Sequence, residues 1–269
     1  MKFCKMSGSG NDFIVVDNTD GSLDGILDPG MISGLCRRGL AIGADGLLEL
    51  LRSPVADFAM RYYNSDGHPA SMCGNGGRCI ARFALDRGVA GPGLVTFTSD
   101  SGIHRALVDS SWRVRLWMTE PRILAGAGKL RLDDVGIVAG LADTGVPHLV
   151  VEHEDLRDGV FERVAPILRR HAAAGPAGAN VDFVSSGRGR LEMRTWERGV
   201  EGETLACGTG AVAVALLLSQ AGRASLPVEI LTRGGLELAV GRDEKGWWLE
   251  GEARIVYRGE TVAPRVDGD

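Results

Sequence analysis

Two short stretches of this 269-residue chain carry the residue types needed to move a proton at carbon, Cys73-Gly74-Asn75-Gly76 and Cys207-Gly208-Thr209-Gly210. Each opens a helical stretch that closes on a glycine, at Gly88 in the first case and near Gly222 in the second. A cysteine at a helix start lies beside unpaired backbone N–H groups and the positive end of the helix dipole. Both favour the thiolate, and cysteine pKa values fall at such positions. The glycines let a ligand approach the backbone closely, and a turn of this kind receives a carboxylate. One helix-start cysteine is usually a small buried residue. Two in matching contexts point to a pair of reactive thiols, each next to an anion site.

The elements that position them repeat along the chain. Gly8-Ser-Gly-Asn-Asp-Phe-Ile-Val-Val16 matches Asp143-Thr-Gly-Val-Pro-His-Leu-Val-Val151 at an offset of 135, Gly43-Ala-Asp45 matches Gly178-Ala-Asn180 at the same offset, and the cysteine motifs match at 134. Three matches in one order indicate duplication of a unit of about 120 residues. Strands are expected at Asp12–Asp17, Asp57–Tyr63, Leu94–Thr98, Trp112–Met118, His148–Glu152, Arg190–Trp196, Val228–Leu231 and Ala253–Tyr257. A helix starts after Asp28-Pro29, another lies near Phe161–His171, and the run from Ala211 to Leu218 is apolar on every face, as in a helix enclosed by sheet. The expected fold is α/β (α+β), with two pseudo-symmetric domains, each a mostly antiparallel, barrel-like sheet around a central helix. The first domain takes residues 1–118 plus about 250–269 and carries Cys73; the second takes 119–249 and carries Cys207. The tail after Tyr257 is either partly disordered or returns to the first domain.

Such an arrangement would bring both helix starts to a shared cleft. A carboxylate held by both turns would leave its α-carbon between the sulfurs, one thiolate taking the α-proton and one thiol returning a proton to the opposite face.

Composition narrows the alternatives. A net charge of −5 argues against nucleic acid as a partner, and the longest apolar stretch is too short to span a membrane. No apolar signal core follows the N-terminal Met1-Lys2-Phe3-Cys4-Lys5, so a cytoplasmic protein is expected. Five cysteines do not make a disulfide scaffold; Cys4, Cys36 and Cys79 read as structural, and Cys73 with Cys79 lacks zinc-ligand spacing. Only Lys2, Lys5, Lys129 and Lys245 could form a Schiff base with pyridoxal phosphate, and none sits in a pocket-forming motif. Gly8-Ser-Gly-Asn-Asp-Phe lacks the third glycine of a dinucleotide fingerprint and precedes a strand instead of following one.

Taken together, Tyr63-Asn-Ser-Asp-Gly…Met-Cys73-Gly-Asn-Gly-Gly-Arg-Cys and Glu197-Arg-Gly-Val-Glu-Gly-Glu-Thr-Leu-Ala-Cys207-Gly-Thr-Gly resemble the diaminopimelate epimerase family. Gly8-Ser-Gly-Asn-Asp-Phe, Gly43-Ala-Asp-Gly, Gly145-Val-Pro-His and Gly178-Ala-Asn-Val-Asp-Phe extend the resemblance from Met6 to about Ala253. It implies interconversion of LL- and meso-diaminopimelate without pyridoxal phosphate or metal, by a homodimer. On the family's motif, Cys73 and Cys207 are the acid–base groups, and Gly74, Asn75, Gly208 and Thr209 form the carboxylate-binding turns. Asn64, Asn180 and Arg198 fall where the non-reacting amino acid end is held, Glu197 near that network, and Asn11 on the site lining. Arg198 suits a second carboxylate, whereas Glu197 and Arg198 could alternatively be a surface pair. His148 either tunes a nearby thiol or is an ordinary buried histidine. One departure stands out, since Val146 occupies a position often held by asparagine before Pro-His.

Two other readings compete. Racemisation of histidine or proline is chemically close, but the set Arg198, Asn64 and Asn180 favours a substrate with its own distal carboxylate and amine. A redox sensor with a reversible Cys73–Cys207 disulfide is the other; oxidation is expected to inactivate the protein instead of serving it.

Overall fold

The computed structural model describes residues 1–133 and 136–261, in two units: residues 1–116 with the segment from Glu252, and Trp117–Gly251. The first unit contains β1 (Lys2–Gly8), β2 (Asn11–Asp17), α1 (Pro29–Cys36), β3 (Gly46–Leu51), β4 (Phe58–Asn64), α2 (Gly74–Asp86), β5 (Gly93–Ser99), β6 (Gly102–Val108) and β7 (Arg113–Trp117). The second contains β8 (Arg122–Leu132), β9 (Ile137–Asp143), β10 (Pro147–Glu152), α3 (Val160–Leu168), β11 (Asn180–Ser185), β12 (Leu191–Glu197), β13 (Gly202–Thr204), α4 (Gly208–Gln220), β14 (Val228–Leu231), β15 (Glu237–Asp243) and β16 (Gly246–Glu252). The last strand, β17 (Arg254–Glu260), pairs with β1 and so belongs to the first unit. Residues 262–269 of the C-terminal tail lie outside the described residues.

The duplication is visible in strand pairing. The first unit runs β17-β1-β2-β3-β4-β5-β6-β7, with only β2/β3 and β4/β5 parallel. The second runs β8-β9-β10-β11-β12-β14-β15-β16, with only β10/β11 and β12/β14 parallel, and β13 added beside the end of β12. The turn glycines Gly43 and Gly178 match, with φ of 73° and 68°. On the strands, however, Gly46 pairs with Phe13 and Asn180 pairs with His148, so the strand counterpart of Asn180 is Gly46 and not Asp45.

Both faces of the central strands are covered. In the second unit Val150, Val184, Ile230, Leu238, Val240 and Leu249 face α4, whose Val212, Ala213, Val214, Ala215 and Leu217 have no exposed surface. Burial of one such valine or leucine stabilises by about 1.5–3 kcal/mol, which offsets the uniform apolarity of a helix that would not be stable in water. On the opposite face, Leu149, Val151, Val181 and Phe183 pack against Phe161, Ala165 and Leu168 of α3. The first unit repeats this, with Ile14, Val16 and Leu47 against Ile32, Leu35 and Cys36 of α1.

Local signals explain the helix ends. Asp28 caps α1 by accepting from Met31 N at 2.7 Å, and Pro29 starts it. Helices α2 and α4 end before Gly88 (φ 70°) and Gly222 (φ 69°), where a left-handed residue closes the last turn. Helix α3 stops at Leu168, short of the expected His171, because the Arg170 and His171 N–H groups turn to carbonyls three residues back. Among the described residues, nine strands fall outside those expected. Strand β3, Gly-Leu-Leu-Glu-Leu-Leu, and β9 are buried on both faces, so they lack alternation. In β15, Gly241 reads as a break, yet it leaves room for the Trp248 ring of β16.

Among the described residues no helix is long and apolar enough to cross a membrane, and no cluster of His, Cys, Asp and Glu is arranged to hold a metal ion.

Candidate active site

In the first unit, Cys73 is the N-cap of α2, and its Sγ accepts from Gly76 N at 3.2 Å. Gly76 packs tightly, since a Cβ there would come within 3.3 Å of a Leu48 methyl and 3.4 Å of the sulfur. The Gly8-Ser-Gly-Asn sequence forms the β1–β2 hairpin turn, with Ser9 (φ 55°) and Gly10 (φ 105°) both left-handed. A side chain at Gly8 would strike Asn75 O at 2.7 Å and Cys79 Sγ at 2.8 Å, so the hairpin and the helix start lock together at this glycine.

A hydrogen-bond chain follows. Arg78 Nη2 donates to Asn75 Oδ1 (2.8 Å) and to Ser9 Oγ (3.0 Å), and Nη1 donates to Gly74 O (3.3 Å). Because a guanidinium only donates, the Asn75 carbonyl must face it, which turns Asn75 Nδ2 toward Asn11 Oδ1 at 2.6 Å. Asn11 Nδ2 in turn donates to Asp45 Oδ2 at 3.1 Å. Asn11, Cys73, Gly74 and Asn75 are thereby brought together. Asn64 ends β4, where its backbone closes a turn with Gly67 and His68; among the described residues its exposed side chain makes no hydrogen bond.

In the second unit Cys207 caps α4 without a cap bond from its sulfur, which instead meets Thr209 Oγ1 at 3.3 Å. Thr209 Oγ1 lies 3.1 Å from His148 Nε2, and His148 Nδ1 lies 2.7 Å from Asp182 Oδ2. Thr195 Oγ1 donates to the other carboxylate oxygen of Asp182 at 2.7 Å. Asp182 and His148 are wholly buried. With Nδ1–H on Asp182, His148 Nε2 accepts from the Thr209 hydroxyl, and that oxygen can accept from the Cys207 thiol. So His148 reaches the sulfur through Thr209, being both buried and connected.

Asn180 is mostly spent inside this unit. Its Oδ1 accepts from Arg198 N at 2.7 Å and its Nδ2 lies 3.3 Å from His148 Nε2. It therefore sets the turn carrying Arg198, whose guanidinium has no hydrogen bond or ion pair among the described residues. Glu197 accepts from Thr204 Oγ1 at 2.6 Å, and the Cys207 thiol beside it works to lower its carboxyl. Burial raises the Glu197 carboxyl above its usual range, with the Asp182 charge adding to the effect. Burial, then the Glu197 and Asp182 charges, push the Cys207 thiol well above its ordinary value. Arg78, Asp182, Thr195 and Thr204 were not singled out from the sequence. An aspartate between the apolar Val181 and Phe183 was the signal available for Asp182.

Duplicated sheets, each built around a helix, define a known fold. A PhzF-family phenazine biosynthesis protein from Bacillus anthracis superposes with a TM-score of 0.73 at 16% identity, covering 98% of this chain and 99% of that one. A hydroxyproline epimerase from Agrobacterium vitis gives 0.62 at 17% identity, covering 96% and 91%. Sequence is more specific. The model of the diaminopimelate epimerase family matches residues 3–124 and 140–256. Proteins named diaminopimelate epimerase from Aquifex aeolicus and Gemmatimonas aurantiaca are 37% and 39% identical, covering 96% and 97% of this chain and 97% and 99% of theirs. The chain belongs to the diaminopimelate epimerase family.

Proposed function

We propose that this protein epimerises LL-diaminopimelate to meso-diaminopimelate, with Cys73 and Cys207 as the two acid–base groups and no cofactor. The observation that carries the reading is the pair of Cys-Gly-x-Gly helix starts, one in each duplicated unit, each with its sulfur at the N-cap. In this reading both thiols serve one α-carbon. One sulfur, as thiolate, takes the α-proton; the other, as thiol, gives a proton to the opposite face. The α-carboxylate rests on backbone N–H groups of the Gly74–Asn75 and Gly208–Thr209 turns. These donors gain strength as enolate charge develops, worth about 3–4 kcal/mol each in favourable cases.

The remaining roles follow from charge. The unengaged Arg198 guanidinium takes the distal carboxylate, positioned through Asn180, and the free Asn64 amide contributes to the same end. Asn11 lines the site with its amide oriented by Asn75 and Asp45. Glu197 and the Thr209–His148 pair act on Cys207. Family membership at this identity over nearly the full chain supports the choice of substrate. We also propose a cytoplasmic homodimer, to be checked by sedimentation.

Incubation of the reduced protein with LL-diaminopimelate in deuterium oxide, without pyridoxal phosphate, tests the reaction. The α-proton signal should fall as the meso isomer forms. A folded, reduced protein that exchanges no α-proton would overturn the proposal.

A further inference from the structure

Arg78 is a charge that the acid–base scheme has not used. It has no exposed surface, sits on α2, and finds only neutral acceptors, the Gly74 carbonyl, the Asn75 amide oxygen and the Ser9 hydroxyl. Among the described residues its Nε has no hydrogen-bond partner and no carboxylate pairs with it. A buried charge without a counter-charge is costly. Burial lowers its pKa to about 10, which still leaves it a cation at neutral pH. Five residues along a helix, it lies about 7–8 Å below Cys73 along the axis.

The groups around this helix start leave Cys73 as the anion that fits. On α2 itself, burial pushes Cys79 up to about 12, so it stays a neutral thiol. On β4, burial raises the Tyr62 phenol, which also stays neutral. The acids of the β2–β3 side are already paired, Asp12 with Lys5 and Arg38, Asp45 with Arg38, and Glu49 with Arg61, and Glu252, whose charge reaches Cys79, is paired with Arg254. Asp100 caps Met72 N, His104 of β6 is bound to Ser99, and Arg258 of β17 pairs with Asp86 at the far end of the helix. Arg113 adds a like charge that disfavours the Arg78 cation. At the second helix start the counterpart of Arg78 is Val212, and the charges beside Cys207 are the carboxyls Glu197 and Asp182.

We propose that Arg78 is the positioning residue that holds Cys73 as the thiolate of the resting protein, while Cys207 rests as the protonated thiol. The helix dipole acts on both sulfurs; what separates them is the Gly76 N–H bond and the buried cation on the side of Cys73, against the buried acids beside Cys207. This rests on the two-thiol reading above. Because the thiols can be read without substrate, the two proposals fail separately.

The test is iodoacetamide alkylation of the reduced protein across pH 5.5–10, with peptide mass spectrometry resolving each cysteine. Cys73 should react with a lower pH midpoint than Cys207. Arg78→Gln should raise the Cys73 midpoint by about one unit, slowing its alkylation near pH 7 by about tenfold, and leave Cys207 unmoved. Arg78→Lys, which keeps the charge, should restore most of the difference and serves if the glutamine variant does not fold. Glu197→Gln should lower the Cys207 midpoint alone. A lower midpoint for Cys207 in the unaltered protein overturns the assignment. So does a folded Arg78→Gln protein whose Cys73 midpoint is unchanged, or an Arg78→Lys protein no better than the glutamine variant.

Discussion

The two helix starts share a backbone and differ in where each buries its polar groups. Beneath Cys73 the helix supplies Arg78, and the strands opposite supply Phe13 and Leu48. Beneath Cys207 the arrangement is inverted. The helix supplies Val212, and the strands supply His148 and Asp182, the residues that pairing registers set against Phe13 and Leu48. Duplication thus kept the glycine turns and the sulfur positions, which the backbone geometry requires, and let the charge move between layers. Packing fixes the volume at each site but not the sign of the charge. Two halves that are alike in shape and opposite in field suit the proposed scheme of one base and one acid.

The sharpest test of that likeness is removal of either sulfur. Cys73→Ala and Cys207→Ala should each cut epimerisation by at least about 10²–10⁴-fold with the far-ultraviolet circular dichroism unchanged. An active single variant would show that the halves are not partners in one step.

The buried His148–Asp182 hydrogen bond should matter next. Asp182→Ala leaves His148 and Thr195 without their acceptor and is expected to cost about 1–3 kcal/mol for each orphaned donor in urea denaturation. A cost below about 1 kcal/mol would mean that the pair is not what holds the second sheet to α4.

Glycine substitutions probe the same asymmetry more gently. An alanine at Gly210 would push its Cβ into the Asp182 carboxylate, whereas at Gly76 it meets a Leu48 methyl at 3.3 Å, which can yield. Gly210→Ala should therefore destabilise by about 1–3 kcal/mol and Gly76→Ala by less, measured by thermal melts. Equal effects would argue that the two turns are packed alike.

The smallest effect concerns acid stability. Burial works to raise the Asp12 carboxyl, but hydrogen bonds and charge from Arg38 and Lys5 outweigh it and bring it from 3.8 to about 2. A depressed carboxyl stabilises the fold above its unfolded pKa and loses that contribution as pH falls through the folded value. Asp12→Asn should flatten the stability profile between about pH 4 and pH 2. An unaltered slope would remove Asp12 from the account of the first unit.

Much of the molecule was legible in residue order. The paired cysteines, their glycines, the helix caps at Asp28, Gly88 and Gly222, and the strands that alternate apolar and polar residues are local features, decided by a few neighbours and by backbone sterics. The repeat at a nearly constant offset announced two units before any contact was known. Strands β3 and β9 escaped notice because burial on both faces erases alternation, and β15 because Gly241 serves a ring on its neighbouring strand.

What only the tertiary structure decided is which polar groups touch. His148, Asp182, Thr195 and Thr209 come from four separate elements, and nothing in their spacing says that they form one line to Cys207. Arg78 looks in sequence like an ordinary helix-surface arginine, and its meaning depends wholly on the strands that bury it. The sequence by itself determined two thiols at two helix starts. The proposed division of those thiols into a base and an acid depends on desolvation and on charges brought near from distant parts of the chain, and those exist only once the chain is packed.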